Sequence, residues 1–202
     1  MALIFSVIIG YLLGNLSPSA LLSKRKQTDL REQGTGNLGT TNTLLVMGKG
    51  YAAIVLLVDM SKALVAVAIA GLLCPEQPLA GLLAGCAVVL GHIFPVFMKF
   101  KGGKGLAAFA GMVLGLDPWL FLILLGIVVA MILITNHGIA MPITAAVLFP
   151  VLYGLRSGSV AGGLISTGMG VLLFAKNWEG LKKAKSGEDV KVWDYLKGRR
   201  KA

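Results

Sequence analysis

The chain has 202 residues, of which 56% are hydrophobic and only 14% charged, and its formal net charge is +10. Soluble domains carry roughly 25% charged residues, and the mean hydropathy here is +0.81, so the composition excludes an ordinary soluble protein and indicates an integral membrane protein. The positive charge is confined to a few polar segments, which argues against a nucleic-acid-binding face and makes membrane lipids the expected partner. Cys74 and Cys86 have no paired histidines near them, so the sequence predicts neither a disulfide framework nor a metal site.

Seven apolar segments predict an all-α, polytopic membrane protein that forms a single domain over residues 1–202. A membrane-spanning helix needs ~20 apolar residues and tolerates ~17, and six of the segments approach or reach that length. The seventh, Leu106–Leu116, is predicted to be a short helix. The first segment has no basic start or cleavage pattern, so it is interpreted as a retained helix. The six longer segments are Ala2–Leu22, Tyr51–Leu73, Leu79–Phe97, Trp119–Ile134, Ile139–Leu155 and Val160–Ala175.

The distribution of lysine and arginine predicts the orientation. Residues 23–50 contain five of these cations, residues 99–104 contain three, and residues 176–202 contain nine. Segments rich in Lys and Arg stay in the cytoplasm. Seven crossings with the N-terminus outside put all three segments there, so the short helix counts as a crossing. The last segment, 176–202, is predicted to be a basic cytoplasmic tail held at the interface by anionic lipid.

One polar segment, Gly91–Gly105, is called the lysine loop here. It reads Gly-His-Ile-Phe-Pro-Val-Phe-Met-Lys-Phe-Lys-Gly-Gly-Lys-Gly and lies between two apolar runs. Glycines let successive N–H groups converge and lysines add charge, so such a loop can hold a phosphate. The alternative is a plain cytoplasmic connector whose lysines obey the positive-inside rule. The aromatic residues and the proline beside the lysines favour the functional interpretation. The residues predicted to bind are Lys99, Lys101, Gly102, Gly103, Lys104 and Gly105.

A second glycine-rich segment, 34–42, is called the threonine loop. It reads Gly-Thr-Gly-Asn-Leu-Gly-Thr-Thr-Asn. Its glycines match a dinucleotide-binding fingerprint, but no strand precedes them, so that interpretation is rejected. Its hydroxyl and amide groups can hydrogen-bond an oxyanion, and a flexible polar connector is the alternative. The residues predicted to take part are Thr35, Gly36, Asn37, Gly39, Thr41 and Asn42.

Asp59 and Lys62 lie within a predicted membrane helix, three residues apart and therefore on one face. Isolated charges in hydrocarbon are costly, so the two side chains are expected to pair or to face a polar cavity. A purely structural ion pair is the alternative. His92 stands where a helix meets the lysine loop and is predicted to orient that loop. It does not head a His-x4-Asp acyltransferase motif, because Phe97 occupies the aspartate position.

Together these segments resemble the bacterial acyl-phosphate:glycerol-3-phosphate acyltransferases, a family of seven-helix membrane enzymes. The lysine loop follows the family pattern almost letter for letter, and residues 31–42 follow its Arg-Glu-x-Gly-Ser-Gly-Asn-x-Gly-x-Thr-Asn pattern with Thr35 in place of serine. Residues 58–62 follow its Leu-Asp-x-x-Lys helix. The resemblance covers nearly the whole chain.

The resemblance implies a reaction: transfer of a fatty acyl group from acyl phosphate to the 1-hydroxyl of glycerol 3-phosphate, giving lysophosphatidic acid and phosphate in the first step of phospholipid synthesis. It implies a bacterial plasma-membrane location and neither a metal nor another cofactor. Lys104, Thr35 and Asn37 are the expected catalytic residues, and Lys104 with the backbone of residues 102–105 would bind the donor phosphate. Asp59 and Lys62 would form the cavity floor, and His92 would orient the loop.

Several positions depart from the family pattern on the side that would bind the acceptor. Leu45 replaces an arginine, Asn136 and Pro142 fall in a segment that usually reads Arg-Tyr-x-Ser-x-Gly-Ser, and Asn177 and Gly180 replace a His-x-x-Asn pair. A site that lacks an arginine guanidinium group binds a dianionic acceptor less well. Two alternatives therefore stay open: a paralogue that uses the same donor with another acceptor, and a catalytically silent lipid-binding relative.

Overall fold

The structure is a computed structural model that describes residues 1–187 and 191–196. Within these residues it contains ten α-helices, a 3₁₀ turn at Val96–Met98 and no β-sheet. The helices are α1 Ala2–Gly14, α2 Pro18–Arg25, α3 Thr40–Met47, α4 Lys49–Leu73, α5 Ala80–Ile93, α6 Leu106–Leu116, α7 Pro118–Thr135, α8 Ala140–Ser157, α9 Val160–Ser186 and α10 Val192–Leu196.

The helices confirm the predicted class of fold, an all-α polytopic membrane protein. In the described part of the chain, six helical segments are long and apolar enough to cross a membrane, counting α1 and α2 together, and α6 is a shorter apolar helix. Its bounds agree with the prediction, since Gly105 precedes it in a left-handed conformation and Asp117 ends it in an extended one.

The first predicted span, Ala2–Leu22, is divided into α1 and α2. Pro18 has no N–H to continue the α1 ladder, and it begins α2 instead. The side chain of Ser17 caps α2 by accepting a hydrogen bond from the N–H of Ala20 at 3.3 Å. The break leaves the last carbonyl groups of α1 inside the protein, where they need donors.

The chain divides into two compact units, residues 1–118 and the part from Trp119 onward. In the first unit α1 packs on α5, and α4 packs on α3, α5 and α6. Small residues allow these close approaches. A Cβ on Gly14 would lie 2.9 Å from the Cα of Gly91, and one on Gly111 would collide with the backbone of Met60. The pairs Gly10/Gly14, Gly81/Gly85 and Gly111/Gly115 have the small-xxx-small spacing of helix-packing sites, and a Cβ on each of them would lie within 3.3 Å of a neighbouring helix.

In the second unit α8 packs on α9. Helix α9 runs 27 residues to Ser186, well beyond the predicted end at Ala175. The basic segment predicted from residue 176 therefore begins as a continuation of a membrane helix. Residues 188–190 and 197–202 of that segment lie outside the described residues.

Candidate active site

The amino group of Lys62 is buried where α1 ends, and it connects three helices. Its Nζ donates to the carbonyl oxygen of Leu16 at 2.7 Å and to that of Gly14 at 3.2 Å. It also lies 2.7 Å from Oδ1 of Asp59 on its own helix and 3.0 Å from Nδ1 of His92 on α5. Carbonyl groups at a helix C-terminus lack amide partners and carry partial negative charge, so this position favours a cation. We call Asp59, Lys62 and His92 the buried triad.

The buried triad is almost completely shielded from solvent. Asp59 is 1% exposed, and Lys62 and His92 are each 6% exposed. Oδ1 of Asp59 also lies 3.2 Å from Nδ1 of His92. The expected pairing of Asp59 with Lys62 is therefore present, and His92 belongs to the same cluster. Nδ1 of His92 accepts from Lys62 in one tautomer and donates to Asp59 in the other, and in both cases Nε2 is the edge that faces Gly103.

The first three residues of the lysine loop, 91–93, form the end of α5, and the backbone that follows bonds back to them. The N–H of Gly102 donates to the carbonyl of Ile93, and that of Gly103 to the carbonyl of His92, each at 3.1 Å. These two amides complete the C-terminus of α5. The last carbonyls of a buried helix thus compete for the donors that were predicted to bind a phosphate, and phosphate binding by these two amides stays a prediction. Gly105 lies outside this set and precedes α6 with φ +84°.

Gly103 brings the lysine loop against both the buried triad and the threonine loop. A Cβ on Gly103 would collide with Nε2 of His92 and would lie 2.5 Å from the carbonyl oxygen of Leu38. Only glycine fits here, because the imidazole and a carbonyl flank the same Cα. A second link joins Nη2 of Arg31 to the carbonyl oxygen of Lys101 at 3.2 Å. The two loops that the sequence predicts to bind phosphate thus meet.

Two helices start close to this contact. Helix α3 begins at Thr40, two residues after Leu38, and α6 begins at Leu106, three residues after Gly103. The first-turn N–H groups of each helix have no acceptor within the helix. The hydroxyl oxygen of Thr40 is buried and has no hydrogen-bond partner among the described residues. Lys104, half-buried, immediately precedes the α6 cap. A cation, two helix starts and a buried hydroxyl can together bind an anion.

Within the threonine loop, Asn42 has a structural task that the sequence did not reveal. Its Nδ2 donates to the carbonyl of Leu30 at 2.6 Å, and its Oδ1 accepts from the N–H of Thr35 at 2.7 Å. The side chain is completely buried. Both ends of the amide are therefore engaged in holding the loop on α3.

The other predicted residues differ in exposure. Asn37 is half-buried, with its Nδ2 near Gly39, and Thr35 and Gly36 are exposed at the turn. Gly36 adopts a left-handed conformation with φ +69°. Thr41, Lys99 and Lys101 are exposed. The structure therefore brings Lys104 and the threonine loop together, and leaves the ammonium groups of Lys99 and Lys101 on the surface.

Three residues that position the loops were not predicted as such. Asn15, buried after α1, accepts from the N–H of Val96 through Oδ1 at 2.6 Å. The hydroxyl of Tyr11 donates to the carbonyl of Phe94 at 2.8 Å. Arg31 makes the contact with Lys101 described above. Asn15 was visible in the sequence as a polar residue in an apolar run, but nothing in the pattern showed its distant partner.

In the second unit, the positions that depart from the family pattern have structural partners. Oδ1 of Asn136 accepts from the N–H of Trp193 at 2.8 Å and so caps α10. Nδ2 of Asn177 donates to the carbonyl of Leu173 on its own helix at 2.9 Å. Pro142 is buried in α8. None of these three side chains carries a charge.

Comparison with known proteins decides the family. The sequence matches the profile of the glycerol-3-phosphate acyltransferases over residues 4–187. The chain belongs to this family. The curated glycerol-3-phosphate acyltransferase of Coxiella burnetii (strain CbuG_Q212) is 38% identical over 193 residues, which cover 95% of this chain and 99% of that protein.

Solved structures agree with this family membership. A crystal structure of PlsY (YgiH), an integral membrane glycerol 3-phosphate acyltransferase, in its glycerol 3-phosphate form has a TM-score of 0.90 at 27% identity and covers 99% of this chain and 100% of that one. The lysophosphatidic acid form has a TM-score of 0.84 at 28% identity, with 95% coverage of both chains. This glycerol-3-phosphate acyltransferase family member is therefore a membrane enzyme of phospholipid synthesis, which confirms the predicted reaction class.

The buried triad of this acyltransferase yields a stability prediction. Lys62→Met leaves the Asp59 carboxylate buried without its cation, so we expect the free energy of unfolding in detergent to fall by about 3–5 kcal/mol. The Asp59→Asn/Lys62→Met double variant removes both charges and should recover part of that loss. Chemical denaturation of the four proteins of this double-mutant cycle measures the coupling. Strictly additive losses would contradict a coupled pair.

Proposed function

We propose that this chain transfers a fatty acyl group from acyl phosphate to the 1-hydroxyl of glycerol 3-phosphate. The acceptor oxygen attacks the acyl carbonyl carbon, the bond from that carbon to the phosphate oxygen breaks, and the hydroxyl proton passes to the departing phosphate. The products are lysophosphatidic acid and inorganic phosphate. The family membership supports glycerol 3-phosphate as the acceptor. PlsY has a glycerol 3-phosphate form and a lysophosphatidic acid form, which correspond to this acceptor and this product.

The observation that carries the donor assignment is the contact between Gly103 and Leu38, which joins Lys104 to the threonine loop. A phosphate leaving group needs cations and N–H donors more than it needs a strong base. Lys104, the first-turn amides of α3 and α6, and the hydroxyl of Thr40 are donors of that kind. Because the departing phosphate accepts the proton, the absence of a His-x4-Asp pair is consistent with this route.

The remaining predicted residues support the loops in this proposal. His92 fills the space beside Gly103 and is itself held by Lys62 and Asp59. Asn37 and Thr35 shape the turn that presents α3. These are positioning roles, whereas Lys104 is the residue proposed to contact the donor phosphate.

The proposed location is the plasma membrane of a bacterium, with the N-terminus outside and the site facing the cytoplasm. The distribution of charge supports this orientation. Eight of the 19 Lys and Arg residues lie in residues 23–50 and in the lysine loop, and nine lie in the segment from residue 176. Seven crossings place all three segments on the side where cations are retained. The proposed membrane partners are lipids, and the acyl donor would reach the site from the inner leaflet.

The direct test of the reaction uses the purified protein with palmitoyl phosphate and glycerol 3-phosphate. We expect saturable release of phosphate and an equal amount of lysophosphatidic acid, identified by mass. A panel of other hydroxyl and amine acceptors serves as the control, because Leu45 replaces the arginine of the family pattern. Turnover only with another acceptor would contradict the proposed substrate, and phosphate release independent of any acceptor would contradict acyl transfer.

Lys104→Ala tests the proposed donor contact. We expect the rate of transfer to fall by about 10²-fold or more, since one preorganised charge on the reacting group is lost, while the protein stays folded. Lys49→Ala, which removes an exposed lysine at the start of α4, is the matched control and should retain full activity. Near-normal activity in purified Lys104→Ala would remove the assignment.

A further inference from the structure

A cleft of about 440 Å³ lies in the first unit beside the lysine loop. Its lining includes Ser23, Lys24 and Asp29 from the end of α2 and the turn that follows it, together with Arg31, Leu38 and Met98. The volume is within the usual range of sites for small ligands, about 300–1,000 Å³.

The two cationic side chains of this cleft are exposed, whereas Ser23 and Asp29 bond to the backbone of the turn. The hydroxyl of Ser23 donates to the carbonyl of Thr28 and accepts from the N–H of Leu30 at 3.1 Å. Oδ1 of Asp29 accepts from the backbone N–H of Arg31 at 2.9 Å. These groups fold the turn. The side chains of Lys24 and Arg31 are exposed, and Nη2 of the Arg31 guanidinium donates to the carbonyl of Lys101.

The surroundings of the cleft are apolar and conformationally strained. Leu21, one turn before Lys24 on α2, is 67% exposed, and Phe97 and Phe100 on the lysine loop are 78% and 58% exposed. Gln27, Lys99 and Phe100 have positive φ values of 52°, 53° and 59°. Non-glycine residues in this region are strained, and such strain is concentrated at functional sites. Exposed apolar side chains around a cationic cleft suit a ligand with a charged head and a hydrocarbon chain.

We propose that this cleft, named the Lys24 cleft, binds the phosphate head of a membrane amphiphile outside the Lys104 site. Lys24 and Arg31 hold the phosphate, and the hydrocarbon chain lies against the exposed apolar side chains of α2 and the lysine loop. The phosphate head has two sources, the acyl-phosphate donor on its way to Lys104 or a resident anionic phospholipid. The first source rests on the proposed function, and the second does not.

Lys24→Gln tests the cleft by kinetics in lipid-free detergent. If the donor uses it, the KM for palmitoyl phosphate rises about two- to fivefold, the size of one exposed charge pair, while kcat and the KM for glycerol 3-phosphate are unchanged. Lys24→Arg keeps the charge and should restore the KM. The matched control is Lys26→Gln, since Lys26 lies outside the cleft with its Nζ 5.1 Å from the centre of the Tyr51 ring.

Native mass spectrometry supplies a readout that does not depend on activity. Wild type, Lys24→Gln and Lys26→Gln are each mixed with palmitoyl phosphate or with phosphatidylglycerol in detergent, and the bound fraction is compared. If Lys24→Gln, but not Lys26→Gln, loses binding of palmitoyl phosphate, the ligand of the cleft is the acyl donor. If Lys24→Gln loses binding of phosphatidylglycerol and keeps that of palmitoyl phosphate, the ligand is a resident lipid. Equal binding in all three proteins with unchanged KM, or equal losses in both variants, would overturn the proposal. If the wild type is inactive but binds phosphatidylglycerol through Lys24, the proposed function is refuted and the proposed ligand of the Lys24 cleft is supported.

Discussion

The first unit depends on one buried cation. The ammonium group of Lys62 donates to carbonyls at the end of α1, pairs with Asp59 and contacts His92 at the end of α5. Two helix C-termini, each with partial negative charge, are thereby held together inside a membrane protein, where unpaired polar groups are costly. The break between α1 and α2 is stable because this cation satisfies the carbonyl groups that the break leaves. His92 lies at the end of α5 and packs against Gly103, and this contact positions the rest of the lysine loop.

The buried triad also accounts for the composition of the loops. Gly103 must be glycine because His92 and the carbonyl of Leu38 flank its Cα, and the amides of Gly102 and Gly103 are engaged in completing α5. Gly102 and Gly103 therefore fix the position of the loop on α5. Lys104 and the starts of α3 and α6 lie next to these glycines in the chain or at their contact with Leu38. The proposed phosphate contacts are therefore Lys104 and these helix starts.

Much of the fold could be predicted from apolar runs and from the residues that interrupt them. Helix α6 was predicted with its observed bounds because Gly105 and Asp117-Pro118 delimit a short run. The extension of α9 was missed because hydropathy falls at Lys176, although lysine, glutamate and alanine are good helix formers. The division of the first span was missed because a proline inside an apolar run is compatible with a kinked span as well as with a new helix.

The residue types of the candidate site could be predicted from the sequence, but the role of each residue could be predicted less well. The pairing of Asp59 with Lys62 followed from their spacing of three residues and the cost of isolated charge, but the carbonyl partners of Lys62 on α1 did not. Asn42 was expected to face an oxyanion, whereas both ends of its amide bind backbone groups. A sequence shows which groups can donate hydrogen bonds, but the partners that already engage them depend on contacts between distant segments.

The most direct measurement of the central claim is a structure of the purified protein with a non-transferable acyl phosphonate. The account predicts that the phosphonate oxygens lie within hydrogen-bond distance of Lys104 and of first-turn amides of α3 or α6, with His92 still packed on Gly103. A phosphonate bound only away from Lys104, with the lysine loop and the threonine loop separated, would contradict it.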